Sequence, residues 1–224
     1  MTPANKGIFF SFPFLFFFLP FLMASDAPVT IVALGDSTTA GTPAFRSPAE
    51  APPEGSGNPE SQYAYWMIKN HPEWKVMNRG INGQRSDEIL NRFDKDVAAF
   101  APQIVIVLAG VNDLYQGYPV DWIQEHLKAI YERAAQKKIK VLACTIIPYN
   151  QSSPEIKARM RDVNQWIENY AREKELGFCD TFHVAEDPSN PGNLASTPDG
   201  LHPDVEGYKK MGSAIAEAIE KILK

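Results

Sequence analysis

The chain has 224 residues, a formal net charge of −5, 44% hydrophobic residues and 22% charged residues. That balance suits one globular domain with a full core and excludes a disordered chain. The acidic charge, with no concentrated basic stripe, also excludes a phosphate-backbone partner such as nucleic acid.

Residues 1–24 read as a secretory leader. Lys6 gives a sparse positive start, Ile8 to Met23 is apolar and holds eight of the thirteen Phe, and small residues follow at Ala24, Ser25 and Ala27. The alternative is an uncleaved membrane anchor, but the stretch is short of the ~18–20 residues that span a bilayer, and Pro13 and Pro20 interrupt it. Cleavage after roughly Ala24 predicts an exported protein, periplasmic or secreted, folded from residues 25–224 with no membrane span in the mature chain.

After the leader, apolar runs alternate with helical periodicity. Strands are predicted at 29–35, 75–79, 103–109, 139–145 and 177–181, and helices at 61–70, 86–99, 120–137, 154–174 and 204–223. In the last helix Val205, Tyr208, Met211, Ile215, Ala216, Ile219 and Ile222 form one apolar stripe. Strand–helix alternation implies right-handed crossovers and a parallel sheet covered on both faces, an α/β fold. Val105 to Leu108 is aliphatic throughout, as a central strand buried on both sides should be. Cys144 and Cys179 fall in two predicted strands and read as small buried hydrophobes, neither a metal site nor a redox pair; an exported compartment would permit a disulfide. Residues 41–60 break the regularity with Pro43, Pro48, Pro52, Pro53, Pro59, Gly41, Gly55 and Gly57. They form either a disordered surface loop or a lid or pocket wall at the strand end they follow. A shorter loop at 183–198 is a candidate for the opposite wall.

Four stretches gather at the carboxyl edge of such a sheet, where open α/β folds place their chemistry. They are Gly35-Asp36-Ser37, the run from Asn78 to Gly83, Gly110-Val-Asn112-Asp113, and Asp199-Gly-Leu-His202. Acyl transfer needs a nucleophile, a base and donors aimed at the oxygen that becomes negative. Ser37 supplies the hydroxyl and His202 is the candidate base. Asp199, three residues earlier, can fold back to orient the imidazole. Oxyanion donors would be the Ser37 N–H, the Gly83 N–H and the Asn112 side-chain amide. Pro203 is placed to start the last helix.

Taken together and in order, these four stretches resemble the sequence blocks of the SGNH hydrolases, also called GDSL esterases/lipases, over nearly all of residues 29–223. The Gly-Asp-Ser-Thr form departs from Gly-Asp-Ser-Leu at its fourth position. The resemblance implies a flavodoxin-like three-layer α/β/α sandwich with a five-stranded parallel sheet. It implies Ser37, Asp199 and His202 as the triad, with Ser37, Gly83 and Asn112 forming the oxyanion hole. The implied reaction is hydrolysis of a carboxylic ester or thioester through an acyl-enzyme, with no metal and no cofactor. The ester would be a lysophospholipid, a short-chain acyl ester or thioester, or a carbohydrate acetyl ester. A non-catalytic ligand-binding module on the same fold is the alternative. A metal-dependent phosphoesterase would need a denser cluster of ligands than the sequence offers.

Several residues have blander readings. Asp36 reads as an N-cap, Asp113 as a loop anchor, and Gly80 as relief for a turn. His71 and His126 read as solvated, whereas His183, after the fifth strand, is a candidate to line the pocket. Phe45, Tyr63, Tyr65, Trp66, Tyr115, Tyr118 and Tyr149 pack in the core or line the mouth.

Overall fold

The computed structural model describes residue 1 and residues 28–224; residues 2–27, which hold nearly all of the expected leader, lie outside the described residues. Seven strands follow in chain order: β1 (Thr30–Gly35), β2 (Phe45–Arg46), β3 (Ser56–Gly57), β4 (Lys75–Gly80), β5 (Ile104–Leu108), β6 (Lys140–Cys144) and β7 (Gly177–Cys179). The α-helices are α1 (Ser37–Ala40), α2 (Tyr63–Asn70), α3 (Ser86–Asn91), α4 (Phe93–Asp96), α5 (Val111–Tyr115), α6 (Val120–Gln136), α7 (Pro154–Glu173), α8 (Thr181–Ala185) and α9 (Val205–Leu223).

The main sheet is parallel with order β4-β1-β5-β6-β7. β1 therefore lies between β4 and β5, and the chain passes from β4 to β5 across it. Connections diverge there, leaving a crevice beyond the carboxyl ends of β1 and β5. All five predicted sheet strands form within a few residues of their expected bounds.

Alternation along each strand feeds two cores. Val32, Leu34, Val105, Val107, Val141 and Ala143 face α3, α4, α6 and α7, meeting Ile89, Phe93, Ile130 and Ile167. Ile31, Ala33, Ile104, Ile106 and Leu142 face the other way, onto Tyr63 and Met67 of α2 and Tyr208, Met211, Ile215 and Ile219 of α9. With period two and both faces covered, every position must be apolar, which explains the unbroken runs in the sequence. Each such side chain contributes about 1.5–3 kcal/mol on burial, so Leu34→Ala would cost about 2–5 kcal/mol.

Three expectations need revision. The helix predicted at 86–99 is broken at Arg92 into α3, α4 and a 3-10 turn over Ala98–Phe100. Pro203 does not start α9; Asp204 is the N-cap, accepting from the Gly207 N–H at 2.9 Å. Residues 41–60 are ordered, with β2 and β3 pairing antiparallel and Phe45 buried beneath them. Cys144 and Cys179 are register partners on β6 and β7, buried and unbridged. No helix among the described residues is long and apolar enough to cross a membrane.

Candidate active site

β1 ends at Gly35, and the chain turns directly into α1. Asp36 caps that helix as expected, its Oδ1 accepting the Thr38 N–H at 2.9 Å. The carboxyl end of the helix is held from β4, where the Asn78 amide donates to the Thr39 and Ala40 carbonyls at 2.8 and 3.2 Å. A four-residue helix has little stability of its own. These two side chains fix Ser37 at its first position.

Ser37 and His202 are 165 residues apart in sequence, yet the Ser37 hydroxyl lies 2.8 Å from His202 Nε2. On the far side of the ring, Nδ1 is 2.7 Å from Asp199 Oδ2. The other carboxylate oxygen accepts the Leu201 and His202 N–H groups, each at 2.9 Å. Burial works to raise the Asp199 pKa, but the hydrogen bonds from the His202 ring and these two N–H groups outweigh it and hold the carboxyl below its ordinary value. An ionised carboxylate at Nδ1 keeps the ring proton there and leaves the Nε2 lone pair facing the hydroxyl. Hydroxyl, imidazole and carboxylate in file can remove the serine proton as the oxygen attacks a carbonyl.

The remaining blocks converge on the same place. A cavity of about 170 Å³ is lined by Ser37, Asn82, Asn112, Tyr115, Tyr149 and His202, among others. Gly83 sits one residue beyond Asn82 with φ +75°, a left-handed conformation that favours glycine, and a Cβ there would meet nothing within 4 Å. Asn112 Nδ2 donates to the Gln84 carbonyl at 2.9 Å, tying α5 to the Gly83 loop and leaving its second N–H to point elsewhere. Among the described residues, the backbone N–H groups of Ser37 and Gly83 have no acceptor. The residues described include no group of three or more His, Cys, Asp or Glu arranged to hold a metal ion.

A family model described as the GDSL-like lipase/acylhydrolase family matches residues 33–210. The chain belongs to that family. Among solved structures, a GDSL-like lipase from Bacteroides thetaiotaomicron is similar over 87% of this chain and 89% of that one, with 28% identity and a TM-score of 0.69. The acetylxylan esterase of Geobacillus stearothermophilus is 25% identical over 159 residues, covering 65% of this chain and 72% of that protein. An N-acylneuraminate cytidylyltransferase from Escherichia coli is 28% identical over 166 residues, 71% of this chain but 39% of that protein. The chain thus spans about two fifths of that last relative's length. Both the α/β fold and the family resemblance read from the sequence hold.

Other residues of this GDSL-like acylhydrolase differ from their sequence readings. Gly80 relieves no turn. It is the last residue of β4, where a Cβ would fall 2.1 Å from the Ala40 backbone nitrogen, so close approach to α1 is what requires glycine. Asp113 is the anchor expected, accepting from the Ser86 N–H at 2.9 Å and hydroxyl at 2.6 Å. His71 stacks on Trp74 and lies between Glu73 and Glu220; His126 bonds the Trp122 carbonyl at 2.7 Å. Neither is freely solvated.

His183 lines a different cavity, of about 440 Å³, between α7 and α8. The 183–198 loop contributes Glu186, Pro191 and Gly192 to that cavity and does not wall the one at Ser37. Of the aromatic candidates, Tyr115 and Tyr149 line the Ser37 cavity, and Tyr63 is fully buried with its hydroxyl on Thr39 Oγ1 at 3.0 Å.

Sequence reasoning missed Arg92. From the break between α3 and α4 its guanidinium donates to the Gly35 carbonyl (2.8 Å), the Arg79 carbonyl (2.7 Å), Gln84 Oε1 (2.6 Å) and Asp96 Oδ2 (3.0 Å). It ties the ends of β1 and β4 to the Gly83 loop.

Proposed function

We propose that this protein hydrolyses carboxylic esters of small acyl groups through an acyl-enzyme on Ser37. His202 takes the hydroxyl proton as Ser37 Oγ attacks the carbonyl, then delivers it to the departing alcohol. Asp199 keeps the ring in the required tautomer and stabilises the imidazolium. The N–H groups of Ser37 and Gly83 and the second amide hydrogen of Asn112 receive the developing oxyanion. A water activated by His202 then cleaves the acyl-enzyme by the same steps in reverse order. The observation that carries the reading is the continuous file from Ser37 Oγ through His202 to Asp199, at 2.8 and 2.7 Å.

The size of the cavity supports a small acyl group. At about 170 Å³ it is well below the roughly 300–1,000 Å³ that enclose a drug-sized ligand. Tyr115, 64% exposed at the mouth, packs against Tyr149 with ring centroids 6.2 Å apart, presenting an aromatic face where the alcohol part of the ester would leave. Aromatic faces suit sugar rings, and one relative is named for acetylated xylan. Acetyl esters of carbohydrates are therefore favoured over lysophospholipids.

A panel of p-nitrophenyl esters of increasing chain length, run beside acetylated xylo-oligosaccharides and a lysophospholipid, tests this. The acetyl ester should have the highest kcat/KM and the lysophospholipid none measurable; a maximum at eight carbons or more would contradict it. We also propose export by way of the 1–24 leader, tested by the mass of the mature N-terminus. A chain that begins at Met1 would exclude cleavage.

A further inference from the structure

The Pro/Gly-rich segment 41–60 is anchored through two buried or part-buried side chains, Ser47 and Glu50. It forms neither a lid nor a disordered loop but is fastened to the end of β4, beside the oxyanion loop. The Ser47 hydroxyl, fully buried, donates to the Gly80 carbonyl at 2.5 Å. Three residues later Glu50 Oε1 accepts the Asn82 N–H at 2.9 Å.

The Ile81 N–H goes to the Gly35 carbonyl at 3.1 Å. The Asn82 N–H goes to Glu50, the Gln84 carbonyl accepts from Asn112, and the Arg85 N–H goes to Glu88 Oε2 at 2.9 Å. Both neighbours of Gly83 are thus tied, Asn82 through its N–H and Gln84 through its carbonyl, and within the loop the N–H groups of Gly83 and Gln84 have no acceptor among the described residues. On the carboxyl side the tie is Asn112; on the amino side the side-chain tie is Glu50. A glycine with φ +75° and nothing within 4 Å of a Cβ position has no packing of its own to hold it. Its orientation comes from its neighbours.

We propose that Glu50 is a positioning residue for the oxyanion hole, holding Asn82 so that the Gly83 N–H points at the substrate carbonyl oxygen. The inference rests on the acyl-transfer reading above. Glu50 does not touch substrate; it acts through Asn82 and Gly83. Its second oxygen, Oε2, is buried without a partner among the described residues. Leaving an acceptor so placed is unfavourable for folding alone, which argues that the position is kept for the loop it fixes. Displacing an oxyanion donor weakens binding of the transition state and leaves substrate binding nearly untouched.

The test compares Glu50→Gln, which keeps an acceptor without the charge, with Glu50→Leu, which keeps the bulk and loses the acceptor. The assays are p-nitrophenyl acetate hydrolysis, the rate of fluorophosphonate inactivation and thermal melting. Glu50→Leu should lower kcat by about 10- to 100-fold with KM within about 3-fold, the scale expected of misplaced reacting groups. Fluorophosphonate inactivation should slow by a similar factor, and Glu50→Gln should stay within about 3-fold of wild type. Hydrogen exchange at the Asn82 amide should speed up in Glu50→Leu alone.

A competent wild type with an unaffected kcat in Glu50→Leu would overturn the inference and leave the acyl-transfer reading standing. So would equal losses in both variants, which would assign the effect to charge, or a loss that tracks melting temperature. A wild type that neither cleaves any ester nor takes the label would overturn both.

Discussion

The molecule contains two Asp-x-x-His pairs at the same edge of one sheet, and only one meets a serine. Asp199 and His202 lie 2.7 Å apart, with His202 buried and in reach of Ser37 Oγ. Asp180 and His183 lie 2.5 Å apart, with the His183 side chain 71% exposed. In the second pair Asp180 is the N-cap of α8, accepting the His183 N–H and the Thr145 hydroxyl. An acid three residues ahead of a histidine is therefore a capping geometry first. It becomes a site only where the topology brings a hydroxyl to the far side of the ring and walls exclude water.

Breaking the two pairs in parallel sharpens this contrast. Ser37→Ala and His202→Ala should each lower kcat/KM for p-nitrophenyl acetate by about 10⁴-fold or more, since members of such a file act as a unit. His183→Ala should leave it within about 2-fold. Asp199→Asn should cost about 10³- to 10⁴-fold through the wrong tautomer. Asp180→Ala should leave turnover intact and lower stability by about 1 kcal/mol, the value of a lost N-cap, read by urea denaturation. Asn112→Ala removes the Gln84 tie and, on the proposed mechanism, one oxyanion donor, and should cost about 10²- to 10³-fold in kcat with KM little changed.

Protonation separates the sites further. Burial pushes the Asp36 carboxyl up to about 7, against the Thr38 N–H that favours its charge, and Oδ2 has no partner among the described residues. A folded value above the unfolded one means the folded state holds the proton more tightly between them. Stability should therefore fall as pH rises from about 4 to about 7, by an amount on the order of a few kcal/mol. Asp36→Asn keeps the cap and should flatten that decline in a melting-temperature series; an unchanged slope would contradict it. Asp180 raises the His183 value by hydrogen bonding and charge. That contribution is present below the unfolded histidine value and lost as pH rises through the folded one. On so exposed a side chain it is worth no more than a few tenths of a kcal/mol. His183→Ala should thus lower stability slightly at pH 5 and not at pH 9.

How much of this was legible in the sequence depends on the range of the interaction. The five sheet strands were, because burial on both faces leaves unbroken aliphatic runs such as Val105–Leu108. So were α2, α6, α7 and α9, long enough to show a stripe. The helices α1, α5 and α8 span four or five residues, too short for a period, and depend on caps and neighbours such as Asn78. The Asp180–His183 spacing is the same in the sequence as that of Asp199–His202, and only the folded topology decides which pair meets a serine. Arg92 and Glu50 could not be read at all: the bonds of Arg92 to Gly35 and of Glu50 to Asn82 span 57 and 32 residues, and nothing local distinguishes either side chain from a solvated charge. The pairing of Ser37 with His202 needed both the strand order and the family blocks.

The central claim is that folding activates Ser37 through His202. Treating the wild type, Ser37→Ala, His202→Ala and His183→Ala proteins with a fluorophosphonate and mapping the adduct by peptide mass tests it most directly. The account predicts a single adduct on Ser37 in wild type and His183→Ala, none in Ser37→Ala, and labelling at least about 100-fold slower in His202→Ala. Undiminished labelling of His202→Ala, or an adduct on any other residue, would contradict it.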